Sequence, residues 1–183
     1  MAVVGVLEGR FDPPHLGHVA LAERAVAEFG IDELHVTVVA DAAHKPSDAA
    51  ADDRLAMAKL AFARLDAIVD LEHHRYTVDA LEAAAYDDPI FLIGADELVA
   101  FPTWKRPERV LELARLGVAT RPGYTPATAS PRIQIFELEP HPVSSSEIRR
   151  RVSAGEPLDG LVAPAVAQYI GEHGLYLGGP GET

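Results

Sequence analysis

Cysteine is absent from the 183-residue chain, which excludes disulfides, thiolate metal sites and a cysteine nucleophile. Basic residues are few: 16 lysines and arginines stand against 28 acids, a formal net charge of −12. That balance argues against a bulk nucleic-acid binder, which needs a broad cationic surface to meet phosphates. It leaves room for a small anionic ligand, because a few basic residues in one cleft outweigh the global sign locally. Long apolar runs are also missing, so no membrane span or membrane partner is expected. The opening segment to His15 has no basic leader and too short an apolar stretch for a signal-peptide core, so it reads as a first strand. A cytoplasmic protein is the expectation that follows. What is present is apolar material, 48% of the chain, enough for a sizeable core. The length suits one domain.

Ala2 to Leu7 is a short continuous apolar run, the pattern of a strand covered on both faces. Val19, Ala22, Val26 and Phe29 then recur at helical spacing, and Gly30 closes that helix. Glu33 to Ala40 is β-branched and predicts a second strand. A polar loop around His44-Lys45-Pro46 leads to a second helix marked by Leu55, Ala58, Phe62 and Leu65, with Asp52 and Asp53 at its positive N-terminal end. A strand over Ala67 to Leu71, a helix over Val78 to Ala85 and a strand over Ile90 to Ile93, stopped by Gly94, follow. Pro107 starts a helix to Arg115, with Val110, Leu111 and Ala114 on one side. Leu116 to Ala119 and Arg132 to Leu138 predict the last strands. Helices over Ser146 to Ser153 and Pro164 to His173 end the domain, residues 1–177, and a disordered tail is expected over 178–183.

Strands alternating with helices imply an α/β fold, a doubly wound parallel sheet with right-handed crossovers in a single domain. Ligands of such sheets sit beyond the carboxyl ends of the strands. That rule brings Gly9–His18, His44-Lys45, Gly94–Asp96 and Ser144–Arg149 to one edge.

The first of these, Gly9-Arg10-Phe11-Asp12-Pro13-Pro14-His15-Leu16-Gly17-His18, joins the first strand to the first helix. Gly9 lets backbone approach a ligand, the prolines stiffen the turn, and Gly17 leaves room at the helix start. His15 and His18 are three apart and share a face near a helix N-terminus, where free N–H groups favour an anion. Two imidazoles and a helix N-terminus suit a phosphate chain. The spacing is not the His-Glu-x-x-His of a zinc site, and neither Gly-x-Gly-x-x-Gly nor Gly-x-x-x-x-Gly-Lys-Ser/Thr is present. The bland alternative is a histidine-capped turn.

The second constellation is Val143-Ser144-Ser145-Ser146-Glu147-Ile148-Arg149. A serine run before a helix is first of all a cap, and that explains Ser146. It leaves Arg149, expected in the first turn, where a cation opposes the helix dipole unless a polyphosphate is bound there. Arg150 and Arg151 point elsewhere and are expected at the surface, as are His35, His73, His74 and His141.

These two segments resemble the paired signatures of the nucleotidylyltransferase superfamily, His-x-Gly-His early and a serine-rich turn ending in Ile-Arg late. Gly94-Ala95-Asp96-Glu97-Leu98, Phe101-Pro102-Thr103-Trp104 and Arg121-Pro122-Gly123 narrow the likeness to the bacterial nicotinate-mononucleotide adenylyltransferases. Tyr76-Thr77, His44-Lys45, Tyr169-Ile170 and His173-Gly174-Leu175-Tyr176 match as well, so the resemblance spans nearly the whole chain. It implies a Rossmann-like fold and transfer of AMP from ATP to nicotinate mononucleotide, releasing pyrophosphate, in NAD biosynthesis. It also implies Mg²⁺ carried on the ATP phosphates with no metal ligand from the protein. His15 and His18 would contact the ATP phosphates and stabilise the transition state, beside the phosphate-binding turn of Gly9, Arg10 and Phe11. Ser145, Ser146 and Arg149 would hold the β- and γ-phosphates, with Lys45 assisting. Asp96 would take a ribose hydroxyl, Trp104 would stack on the pyridine ring, and Thr77, largely through its backbone amide, would meet the nicotinate carboxylate.

Three departures from the family pattern stand out. Glu8-Gly9-Arg10 replaces Gly-Gly-Thr/Ser, removing a small hydroxyl and adding a charge at Arg10. Lys105 follows Trp104 where an aromatic is frequent, and the Ala43-His44-Lys45-Pro46 loop lacks the usual Pro-Pro. Base selectivity is what these changes touch first. Three alternatives therefore stay open: an enzyme preferring nicotinamide mononucleotide, one using another phosphorylated acceptor, and a non-catalytic nucleotide-binding module. The oligomeric state, a homo-oligomer included, also stays open.

Overall fold

The computed structural model describes residues 2–40, 47–126, 128 and 130–178. Strands and helices alternate: β1 (Val4–Gly9), α1 (Leu16–Phe29), β2 (Glu33–Val39), α2 (Ala51–Phe62), β3 (Ile68–Glu72), α3 (Thr77–Ala84), β4 (Ile90–Gly94), α4 (Ala95–Ala100), α5 (Pro107–Leu113), β5 (Arg115–Thr120), β6 (Ile133–Glu137), α6 (Ser145–Ser153) and α7 (Pro164–His173). All neighbouring strands pair in parallel, in the order β3-β2-β1-β4-β5-β6. This is the expected doubly wound sheet. The order reverses between β1 and β4, so the chains leaving these two strands diverge and open a crevice at their carboxyl ends.

Side chains alternate across a strand, and the sheet accordingly divides two cores. Leu7, Val36, Val38 and Leu92 face α1, α2 and α7. Val6, Phe91, Ile93, Leu116 and Val118 face the α3 and α5 side. Glu8, two residues after Val6, therefore falls on that second face at the crevice. Gly30 (φ 61°) and Gly174 (φ 59°) close α1 and α7 in the left-handed conformation that favours glycine.

Several boundaries move. The first strand runs over Val4–Gly9, not 2–7, because parallel pairing with β2 continues through Glu8 and Gly9, opposite Thr37 and Val38. Val3 instead anchors the next turn, its carbonyl accepting from the Asp32 and Glu33 amides. The second helix stops at Phe62 and a 3₁₀ turn over Ala63–Leu65 carries Leu65. The fifth helix ends at Leu113, because Arg115 already donates its amide to Pro89 and enters β5. The short helix α4 and the 3₁₀ turn Phe101–Thr103 that follows it are too brief to show a helical period. His35, expected at the surface, has a side chain only 16% exposed, tucked against Tyr86 and bonded to Glu33. Of the expected tail, only Gly178 lies within the described residues. Among these residues, no helix is long and apolar enough to cross a membrane.

Candidate active site

The turn from β1 into α1 is built around a buried phenylalanine. Phe11 sits at φ 50°, a left-handed conformation that is strained for a bulky residue. Its ring is buried, edge-on to His18 and Phe62. Gly9 is required for a different reason than ligand approach alone: a Cβ there would lie 2.9 Å from the Phe11 ring. A Cβ on Gly17 would lie 3.0 Å from the His15 ring, so the room expected at the helix start is room for a histidine.

His15 is the N-cap of α1 and His18 its third helical residue. The rings stack with centroids 3.7 Å apart. The His15 amide donates to His18 Nδ1 at 3.1 Å, so in the neutral ring the proton resides on Nε2. His15 Nδ1 is buried with no partner among the described residues. Burial lowers the pKa of His15 to about 4, aided by the charge of His141, and that of His18 to about 3, aided by His15. Both are therefore neutral at pH 7, hydrogen-bond donors without a full charge. His141 is exposed, as expected, but its place beside this pair was not legible from its spacing.

The N-terminus of α6 closes on the same turn. Ser144, not Ser146, is the cap, accepting from the Glu147 amide. Ser145 Oγ donates to the Pro13 carbonyl at 2.8 Å, and Arg149 Nη1 donates to the Asp12 carbonyl at 2.8 Å. Arg149 begins the second helical turn rather than lying in the first. Its Nε pairs with Asp48 and its Nη2 approaches Ser146 Oγ at 3.4 Å, so a carboxylate already relieves the conflict with the dipole. Arg150 and Arg151 are engaged by Glu147 and Glu156 at the surface.

Two buried charges hold the loops in place, and both are missing from the sequence-derived site. Asp12 accepts from the Asp48 and Ala49 amides and from the Tyr176 hydroxyl. Arg54 donates to the carbonyls of Arg10, Val39, Ala40 and Ala49. Its signal was available: it shares the apolar stripe of α2 with Met57, Ala58 and Ala61, an unexpected place for arginine.

A cavity of about 430 Å³ lies at the switch point, bordered by Gly9, Arg10, Phe11, His18, Trp104 and Ser145. A second, of about 520 Å³, is bordered by Arg75, Tyr76, Thr77, Trp104 and Lys105. Thr77 and Trp104 belong to both. Trp104 is half-buried, packed edge-on against Phe91 and Phe101, and Thr77 is the first residue of α3. Glu8 lines the first cavity and accepts from Thr77 Oγ1 at 2.9 Å. Burial raises its pKa to about 7, with the Glu72 charge adding to the effect and the Thr77 bond opposing it. Lys105 pairs with Asp79 and lies over the Tyr76 ring. Asp96 is exposed in the first turn of α4, where Glu97 borders the cavity instead. Lys45 and His44 lie outside the described residues. Among the described residues, no group of three or more His, Asp or Glu is arranged to hold a metal ion.

A doubly wound sheet with a histidine-bearing turn, a serine-capped helix and an aromatic subsite at its switch point defines a nucleotidyltransferase domain, and residues 6–151 match the cytidylyltransferase-like family. A probable nicotinate-nucleotide adenylyltransferase of Bordetella avium is 39% identical, the match covering 96% of this chain and 98% of the relative. One from Symbiobacterium thermophilum is 36% identical over 98% of this chain and 97% of the relative. The chain belongs to the nicotinate-nucleotide adenylyltransferase family. The fold is also that of the Plasmodium falciparum nicotinic acid mononucleotide adenylyltransferase complexed with NaAD, with a TM-score of 0.80 at 18% identity over 96% of this chain and 98% of that one.

Proposed function

We propose that this chain transfers AMP from ATP to nicotinate mononucleotide, with the His18 side of the cleft taking the polyphosphate and the Thr77–Trp104 side taking the pyridine. The observation that carries this reading is that the two cavities lie side by side at Thr77 and Trp104, which border both. An acceptor seated there can bring its phosphate toward the His18 turn. The 36–39% identity to named relatives over nearly the full length supports the same activity.

A phosphate oxygen of the mononucleotide attacks the α-phosphorus of ATP in line. A new P–O bond forms as the bond to the β-phosphate oxygen breaks, and pyrophosphate departs with the electron pair. No protein nucleophile is needed, and catalysis consists of positioning and charge stabilisation. His18, with its proton on Nε2, donates to the phosphate that gains charge, and His15 backs it through the stacked pair. The amides at the start of α1 add their dipole. Ser145, Ser146 and Arg149 receive the outer phosphates together with Gly9, Arg10 and Phe11, Arg149 exchanging its Asp48 partner for them. Lys45 assists, and Asp96 meets a ribose hydroxyl at the rim.

A divalent cation, Mg²⁺, fits this chemistry as cargo of the polyphosphate. Asp12, the buried carboxylate of the turn, is already committed to two amides and a hydroxyl. The ion supplies charge neutralisation on the phosphates.

Pyrophosphate release with ATP and Mg²⁺, measured in parallel with nicotinate and nicotinamide mononucleotides, tests the assignment. Release with the nicotinate compound supports it. Release only with a non-pyridine phosphate acceptor, or none with any acceptor in a protein that binds ATP, would overturn it.

A further inference from the structure

Glu8 has no place in the transfer just described, yet its half-buried carboxyl borders the crevice. Its position follows from the strand: it is the penultimate residue of β1, on the same face as Val6 and beside Thr37 in register. Its Oε1 accepts from Thr77 Oγ1 at 2.9 Å, and it borders the cavity that also contains Trp104. Behind it lies a pocket of about 20 Å³ bordered by Thr37, Glu72, Tyr86 and Phe91. Thr37 Oγ1 is buried there with no partner among the described residues. The titratable and charged groups around Glu8 are Glu72 from β3, Tyr86 after α3, Glu97 from α4, and Arg10, Asp12 and His18 across the cavity. His35 on β2 faces Tyr86 from the same side. Among the described residues, no lysine or arginine borders the pocket behind Glu8, and Glu72 is bonded to His74.

We propose that Glu8 determines which pyridine mononucleotide the enzyme accepts, pairing with an anionic ring substituent when protonated and with a neutral amide substituent when ionised. This rests on the assignment of the Thr77–Trp104 side to the pyridine. The chemistry follows from counting donors. With Oε1 taken by Thr77, a protonated Glu8 offers one O–H donor, which a carboxylate substituent accepts. An ionised Glu8 offers only acceptors and a negative charge. It repels a carboxylate and accepts from an amide N–H. Because burial holds its pKa at about 7, both forms are populated near neutrality. Glu8 is thus a titrating selector, at the position where the chain departs from the Gly-Gly-Thr/Ser pattern it otherwise resembles.

The test is kcat/KM for nicotinate and for nicotinamide mononucleotide across the neutral range, in the wild type and in Glu8→Gln. Both acceptors carry the same 5′-phosphate, so its titration cancels in their ratio. The wild-type nicotinate-to-nicotinamide ratio is expected to fall at least roughly tenfold from about pH 6 to about pH 9. In Glu8→Gln, which keeps the acceptor for Thr77, the ratio is expected to be flat. A wild-type ratio independent of pH, or an equal fall in both proteins, would overturn the role of Glu8 and leave the reaction standing. Turnover of neither mononucleotide at any pH would remove the acceptor assignment and this inference with it. Should Glu8→Gln fail to fold, calorimetry on the wild type still decides. At about pH 8, in buffers of different ionisation enthalpy, nicotinate mononucleotide is expected to bind with uptake of up to about one proton more than the nicotinamide compound. Equal uptake would overturn the proposal.

Discussion

A carboxyl largely withdrawn from water costs folding free energy, and Glu8 should reveal that cost in a pH-dependent way. Its pKa is raised from 4.5 to about 7 by burial, a displacement worth roughly 3 kcal/mol. Below the unfolded value both states hold the proton, and Glu8 costs nothing. Between the two values the unfolded chain ionises while the folded one does not, so stability falls as pH rises. Above about 7 the full cost is present. Glu8→Gln removes the titration while keeping an oxygen for Thr77. In urea denaturation the variant is expected to match the wild type at about pH 4.5 and to exceed it by roughly 3 kcal/mol at about pH 8. His15 and His18 act in the opposite sense. Their pKa values, lowered to about 4 and about 3, give stability that is complete above the unfolded value of 6.5 and is lost as pH falls through the folded values. The two effects oppose each other in mildly acidic solution, so Glu8→Gln should also expose a steeper acid loss than the wild type shows. A variant no more stable than the wild type at about pH 8 would show that the buried Glu8 charge carries no such cost.

Arg54, Trp104 and Tyr176 each give a further outcome to measure. Arg54→Met strips four carbonyls of their donor and is expected to lower stability by at least about 3 kcal/mol, measured by urea denaturation. A loss under about 1 kcal/mol would show that the loops do not depend on it. Trp104 is the sole tryptophan, so its fluorescence should change when the acceptor binds without ATP. Trp104→Ala should raise the acceptor KM roughly tenfold or more while leaving that for ATP near its original value. Tyr176→Phe removes one hydroxyl from Asp12 and should cost about 1 kcal/mol in the same denaturation experiment.

The order of strands and helices is legible in the sequence because each buried parallel strand is a short apolar run punctuated by glycine or a polar turn. The C-terminal helix could be delimited at Pro164 and His173, since proline and Gly174 mark its ends. Pattern fails where pairing outruns hydrophobicity, as at Glu8 and Gly9, and where an element is too short to repeat, as at α4. The His15–His18 turn and the α6 serines come together as anticipated, since the switch-point rule places both at one sheet edge. Their partners were not legible: Asp48 for Arg149, Asp12 for Tyr176 and the two amides, and Arg54 for four carbonyls are contacts between distant segments. Glu8 was visible as a departure from the family pattern, but only the fold shows that it is half-buried and bonded to Thr77.

In the proposed mechanism this cleft moves the adenylyl group of ATP to a pyridine mononucleotide through the charge-stabilising His18 turn. Single-turnover reactions with ATP labelled at the α-phosphate and nicotinate mononucleotide test it most directly, in the wild type and in His18→Ala. Label is expected to appear in the dinucleotide, and the variant should transfer it at least roughly 100-fold more slowly while remaining folded and still binding ATP. Label recovered as free AMP would rule out transfer to the acceptor, and transfer at the wild-type rate by a folded His18→Ala protein would remove His18 from the chemistry.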